Sequence, residues 1–214
     1  MRKGFAIPVA VALAIAVAPG AAASEQLLGR GPDGVTIEVV TLNGSGCLRG
    51  TAAAALSETS EAFKVTYAKY LAQAGGVFEP TDALKNCQIT LRVNVPLGFS
   101  FAISSAEYRG YASLPSGASA TLRASYHFHG DPRIRESVHS LSGPYKKNWQ
   151  FVDVMDVPQF VWSRCGERTS IIYVNTELRV DPGSSDPSKV GHIGMDSADG
   201  SIKTTYHYSW RHCL

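Results

Sequence analysis

Alternation of apolar and polar residues, repeated along most of the chain, is the feature that most narrows the choice of fold. Between Ile89 and Val95 the apolar residues Ile89, Leu91, Val93 and Val95 alternate with Thr90, Arg92 and Asn94. Successive side chains of a strand point to opposite faces, so this spacing reads as a strand with one buried and one wet face. Val35, Ile37 and Val39 repeat the pattern, as do Leu122, Ala124, Tyr126 and Phe128. So do Ile172, Val174, Thr176, Leu178 and Val180, and later Ile202, Thr204, Tyr206 and Tyr208. Phe63, Val65 and Tyr67 start one more strand, and Phe99, Phe101 and Ile103 another.

Breakers separate these runs: Pro96-Leu97-Gly98, Pro115-Ser116-Gly117, Gly130-Asp131-Pro132, Asp181-Pro182-Gly183 and Asp199-Gly200. Asp-Gly ahead of a β-rich run is a hairpin signal. One-sided strands joined by such turns predict an all-β chain, an antiparallel β-sandwich or a partly closed barrel. No amphipathic helix longer than two turns is visible. Thr51 to Leu56 is Ala-rich and reads equally as a helix or as a strand of small residues.

The N-terminus reads as a secretory signal peptide over residues 1–23. Arg2 and Lys3 precede the apolar run Phe5–Ala18, Pro19-Gly20 ends it, and Ala21-Ala22-Ala23 offers small residues for cleavage. The run is shorter than the roughly 20 residues of a bilayer span, so no stable membrane anchor is expected. Residues 24–34 read as a flexible lead-in and 35–214 as a single sandwich domain. Taking 23 residues from 214 leaves 191, enough to bury a sizeable core. Without Arg2 and Lys3 the basic residues number 18, against 18 acidic ones. A neutral mature chain lacks the bulk positive charge that non-specific nucleic-acid binding requires, so no nucleic-acid partner is expected.

Cys47, Cys87, Cys165 and Cys213 form an even set in a chain read as exported, which predicts two disulfides. The pairing Cys47–Cys87 and Cys165–Cys213 keeps each bridge within one half of the chain. Each would close a loop of about 40 to 50 residues, stabilising by about 4 kcal/mol on the chain-entropy account. No two cysteines stand at the spacing of a zinc site, and no cofactor is implied.

Several clusters, taken in order, carry a family resemblance. They are Leu42-Asn43-Gly44-Ser45-Gly46-Cys47, Lys85-Asn86-Cys87-Gln88, Tyr108-Arg109-Gly110-Tyr111 and Ser142-Gly143-Pro144-Tyr145. Ser163-Arg164-Cys165-Gly166, Asn175-Thr176-Glu177-Leu178-Arg179, Met195-Asp196-Ser197 and Trp210-Arg211-His212-Cys213 complete the set. Together they resemble the secreted domain-of-unknown-function family numbered 4360, of bacteria and filamentous fungi, over residues 35 to 213. Leu48 departs from the pattern, where a proline would follow the cysteine. The resemblance implies export and paired cysteines and brings no activity with it.

Candidate functional residues fall into a few groups. Tyr108, Tyr111, Trp149, Trp162 and Trp210 are the aromatics that could form a stacking platform for a glycan, or else fill the core and its rim. His127 and His129 share one strand face and could present two metal ligands, with Asp131 or His139 as a third; otherwise they are solvent-facing histidines. Asp196 to Gly200 supplies oxygen ligands suited to calcium, and equally suits a plain turn. Tyr173, Asn175, Glu177 and Arg179 make a polar stripe, which a sugar or a peptide could contact or which simply faces solvent. Asn43-Gly44-Ser45 is a glycosylation sequon and also a turn. The chain has no Gly-x-Ser-x-Gly, no HExxH and no phosphate-cradling loop. The leading expectation is an extracellular binding module for a glycan or a protein partner. The alternatives are a secreted hydrolase with a carboxylate pair and a non-catalytic structural protein of the cell surface.

Overall fold

The computed structural model describes residues 27–195 and 203–213. The signal peptide read over residues 1–23, the turn Asp196–Gly200 and Ile202 lie outside the described residues.

The strands are β1 (Thr36–Asn43), β2 (Ala52–Leu56), β3 (Ala62–Tyr67), β4 (Leu71–Ala74), β5 (Leu84–Asn94) and β6 (Phe99–Leu114). They continue with β7 (Ser119–Phe128), β8 (Arg135–Ser142), β9 (Tyr145–Val154), β10 (Thr169–Asp181), β11 (Gly191–Gly194) and β12 (Lys203–His212). Helical structure among the described residues is limited to the 3-10 turns Pro80–Ala83 and Val157–Gln159, each with a proline in its first turn.

Two antiparallel sheets pack face to face as a sandwich. The first runs β1-β5-β10-β7-β8. The second is organised around the sixteen-residue β6. β12 pairs with Phe99–Glu107 of β6, β11 with Tyr111–Ser113, and β9 with Ser105–Leu114. Because these stretches overlap, β9 must lie on one side of β6, with β12 and β11 end to end on the other. β3 and β4 flank β12 and β11, and β2 flanks β3. The Ala-rich stretch is therefore a strand. Ala54 pairs with Val65 of β3, and the pairing supplies the hydrogen bonds that propensity alone did not decide.

The alternation read from sequence becomes the core. Ile89, Leu91 and Val93 of β5, Ile172, Val174 and Leu178 of β10, and Leu122 and Phe128 of β7 are buried from the first sheet. Phe63 and Val65 of β3, Phe101 and Ile103 of β6, and Tyr206, Tyr208 and Trp210 of β12 face them from the second. Truncating any of the larger ones to alanine leaves a void, at a cost of about 2–5 kcal/mol. The stretch expected to be a flexible lead-in is attached to β12 over its described part. Leu28 N donates to Trp210 O at 2.8 Å. Gly31 packs so tightly that a Cβ there would lie 2.9 Å from the Trp210 indole.

Both disulfides have the pairing read from sequence, Cys47–Cys87 and Cys165–Cys213, with Cα separations of 5.3 and 5.7 Å. The first is buried and ties the end of β1 to β5. The second is more exposed and ties the loop after β9 to the end of β12.

Candidate functional site

The β8–β9 hairpin turns at Gly143-Pro144, whose peptide bond is cis. Its two arms belong to different sheets: β8 pairs with β7 in the first, β9 with β6 in the second. Each is an edge strand, so between them lies an open side of the sandwich. Arg135, Ser137, His139 and Leu141 of β8 are half-buried and alternate with the exposed Glu136, Val138, Ser140 and Ser142. On β9 the buried Trp149 and the half-buried Phe151 and Asp153 alternate with exposed residues in the same way.

Next to the hairpin the open side is filled by stacked rings. Trp149 stacks on Phe151 at 5.1 Å between centroids, and Phe151 on His139 at 4.4 Å with planes 7° apart. Beyond them Asp153 ties the two strands together. One carboxylate oxygen accepts from Ser137 Oγ at 2.5 Å, and the other meets His139 Nε2 at 2.8 Å. A carboxylate can only accept, so Nε2 carries the proton toward it.

Past Asp153 the sheets are not filled, leaving a cleft of about 450 Å³. The space exists because Ala106 of β6 and Ala124 of β7 contribute only methyl groups to it. Tyr108, Tyr126 and Met155 complete the apolar wall, and Arg135, Ser137 and Asp153 supply polar groups. Burial pushes the Tyr108 phenol up, and the nearby Asp153 charge adds to this, while a hydrogen bond with Ser137 opposes it. Burial also raises the Tyr126 phenol, against the pull of Arg135. Both rings therefore stay protonated at neutral pH. Tyr126 Oη lies 2.6 Å from Met155 Sδ and 3.3 Å from Ile103 O. Arg135 donates from Nη2 to Gln159 O, while its Nε is buried without a partner.

Chemically, this constellation differs from a hydrolytic triad in the order of its groups. In a hydrolytic triad the histidine stands between nucleophile and carboxylate. Here the carboxylate stands between Ser137 and His139. The other carboxylate of the lining, Glu136, is held by Arg123 Nη1 at 3.1 Å.

The five aromatics proposed as a stacking platform do not form one row. Trp210, Tyr108 and Trp149 are only 1, 2 and 4% exposed, because each fills space between or beside the sheets. Trp149 covers Gly110, its partner across β6 and β9, where a Cβ would come within 2.2 Å of the indole. Trp162 and Tyr111 are half-exposed and lie apart in the fold. The Arg211 guanidinium sits 4.2 Å over the Trp162 ring, and His192 lies 5.9 Å from Tyr111.

His127 and His129 do share the outer face of β7. The His127 ring stacks on Tyr173 at 4.9 Å, and His129 Nδ1 lies 3.0 Å from the Tyr173 hydroxyl. Neither expected third ligand joins them. Asp131 is taken by Arg133, whose guanidinium and backbone N–H hold its carboxyl down at about 2. His139 is on β8, facing Asp153. Among the described residues no three His, Cys, Asp or Glu side chains gather as metal ligands. The stripe through Tyr173, Asn175 and Glu177 lies on this same outer face, with Glu177 opposite Arg123. At the sequon, Ser45 and Asn86 exchange hydrogen bonds of 3.0 to 3.2 Å, and Asn43 is exposed.

Ser137, Asp153 and Arg135 escape a reading of the sequence. On β8 the polar residues point inward and Val138 outward, so hydropathy alternation assigns its faces the wrong way round. Only Leu141, in step with His139 and Ser137, hints at the true face.

The fold and cleft define a class, a disulfide-bonded antiparallel β-sandwich with a pocket at one open edge. Within that class the chain belongs to the family described as a domain of unknown function, DUF4360, whose model matches residues 33–213. An uncharacterized secreted protein of Arthroderma benhamiae is 33% identical over 182 residues, covering 85% of this chain and 73% of the relative. Among solved structures, TmCBM61 in complex with beta-1,4-galactotriose aligns over 85% of this chain and 90% of its own. At 7% identity and a TM-score of 0.26, that likeness carries no argument about this site.

Proposed function

We propose that this protein is an extracellular binding module, and that the cleft between β8 and β9 holds a neutral saccharide unit. The observation that carries the reading is a mouth lined by the polar groups of Arg135, Ser137 and Asp153 over a floor of alanine and tyrosine. Sugar hydroxyls suit such a mouth because each both donates and accepts, to Asp153 on one side and from Arg135 on the other. The C–H face of a pyranose ring then packs on Tyr126, Ala106 and Ala124. A volume of about 450 Å³ falls in the range of about 300–1,000 Å³ usual for ligand pockets. The export read from residues 1–23 and the secreted relative from Arthroderma benhamiae support an extracellular setting.

The test is a screen of the mature chain against cell-wall and extracellular oligosaccharides, followed by calorimetric titration of any that bind. Saturable binding of a neutral oligosaccharide, lost in Asp153→Asn and in Ala124→Leu, is the expected result. Binding that both variants retain would place the site elsewhere, and no binding to any glycan would remove this reading.

A further inference from the structure

At the other end of the β8–β9 hairpin lies a second concavity, of about 510 Å³. Leu114, Pro115 and Pro144 form its apolar floor, the half-buried Tyr145 ring one wall, and Lys146 and Lys189 its rim. The Lys147 ammonium lies 5.3 Å from the centroid of the same tyrosine ring. Lys146 and Lys189 therefore place two positive charges on the lining, with Lys147 over the tyrosine ring, and no carboxylate is among the lining residues. Among the described residues none of these lysines forms an ion pair. The acidic neighbour in sequence, Asp186, accepts from the backbone N–H and hydroxyl of Ser188 at 2.9 and 2.8 Å, and its carboxylate also feels the Lys189 charge without pairing with it.

The backbone that carries these groups is held by close approaches that a side chain would obstruct. A Cβ on Gly143 would lie 1.9 Å from Pro115 O, and Gly143 N donates to Ala118 O at 2.8 Å. A Cβ on Gly75 would lie 2.1 Å from Lys189 O, and Gly76 N donates to Pro187 O at 2.8 Å. Tyr145 is oriented by its hydroxyl, which donates to Asn148 O at 3.1 Å. The cup is thus assembled before any ligand arrives, which lowers the ordering cost of binding.

We infer that this cup is a second binding site, taking the carboxylate and ring of an acidic saccharide, a uronate unit. The inference stands apart from the cleft, because it uses other residues at the opposite end of the hairpin. Lysines act as mobile point charges and do not impose the bidentate geometry of arginine, which suits a carboxylate whose position varies along a polymer. The tyrosine ring and the two prolines give a pyranose C–H face a surface that a bare anion cannot use. A neutral sugar would leave the two lining ammonium groups idle, and a free phosphate would leave the ring idle.

The experiment titrates the mature protein with a short oligogalacturonate, with a neutral galactose oligomer of equal length and with inorganic phosphate. The expected result is saturable binding of the oligogalacturonate that weakens as salt is raised, about tenfold weaker in the Lys146→Gln/Lys189→Gln double variant. Asp153→Asn should leave this binding unchanged, which separates the cup from the cleft. Circular dichroism of each variant confirms that the fold is kept. If the double variant binds oligogalacturonate as tightly as the parent, or the neutral oligomer binds the cup equally, the inference is overturned. Phosphate competing at the same concentration as the oligomer would also overturn it, leaving only a general anion patch.

Discussion

Replacing Asp153 by alanine removes the group that ties the two edge strands to each other. In the folded protein its carboxylate accepts from Ser137 Oγ at 2.5 Å and from His139 Nε2 at 2.8 Å. A hydrogen bond to a charged acceptor is worth about 1.5–3 kcal/mol net when well sheltered. The Asp153 and His139 side chains are 20 and 21% exposed, so water recovers part of the loss. The two bonds together then set the cost at about 2–3 kcal/mol. For a chain of this size each kcal/mol lowers the melting temperature by about 2–4 °C, giving a drop of about 4–12 °C. Asp153→Asn keeps one acceptor oxygen and should lose about half as much. The assay is thermal unfolding of the mature chain with both disulfides intact, followed by near-ultraviolet circular dichroism. A melting temperature for Asp153→Ala within 1 °C or so of the parent would refute the reasoning, because it would mean that solvent replaces both bonds at no cost.

Gly110→Ala should be severely destabilising, by about 1–3 kcal/mol or more in urea unfolding, because its Cβ would lie 2.0 Å from Gly194 O and 2.2 Å from the Trp149 ring. Ala124→Leu, which fills the cleft without touching a polar group, should abolish saccharide binding there while leaving the dichroism spectrum unchanged. The Asp131 carboxyl should titrate near 2 by NMR, below the ordinary 3.8, and Arg133→Gln should bring it back toward that value. Because its folded pKa is depressed, the Asp131–Arg133 contact contributes fully above the unfolded value and is lost as pH falls through about 2. Reducing both disulfides should cost several kcal/mol, about 2–5 for the Cys47–Cys87 bridge alone, read as a lowered denaturant midpoint.

Where a strand has one apolar and one polar face, its placement is legible in the residues. Ile89 to Val95, Leu122 to Phe128 and Ile172 to Val180 read directly as core strands because each lies inside the first sheet with one face on the core. The four-residue strands β4 and β11 are too short to show a period. The candidate cleft was the least legible part, for a physical reason. It lies on two edge strands where the inner face meets water at an opening, so Arg135, Ser137 and His139 point inward and Asp153 shares a face with Trp149 and Phe151. Hydropathy equates inward with apolar, and that equation fails at the mouth of a cleft. The aromatics could be read as either a platform or core residues, and Trp149 and Trp210 are spent on covering Gly110 and Gly31.

The position of β12 bears on when the protein can fold. It comes last of the described strands in the chain, yet it lies inside the second sheet, with β3 on one side and β6 on the other. Until residues 203–212 are available, β3 and β6 have no strand to join them over that length, and Phe63 and Phe101 lack the rings of Tyr206, Tyr208 and Trp210 against which they pack. The pairing of His212 with Phe99 and of Tyr206 with Phe63 closes loops of more than a hundred residues, which is slow and gains nothing until complete. A growing chain therefore lacks this interior strand of the second sheet until residues 203–212 are made. Such delay keeps a polypeptide threadable, and it concentrates the commitment to fold, and the closing of the Cys165–Cys213 bridge, in one late event.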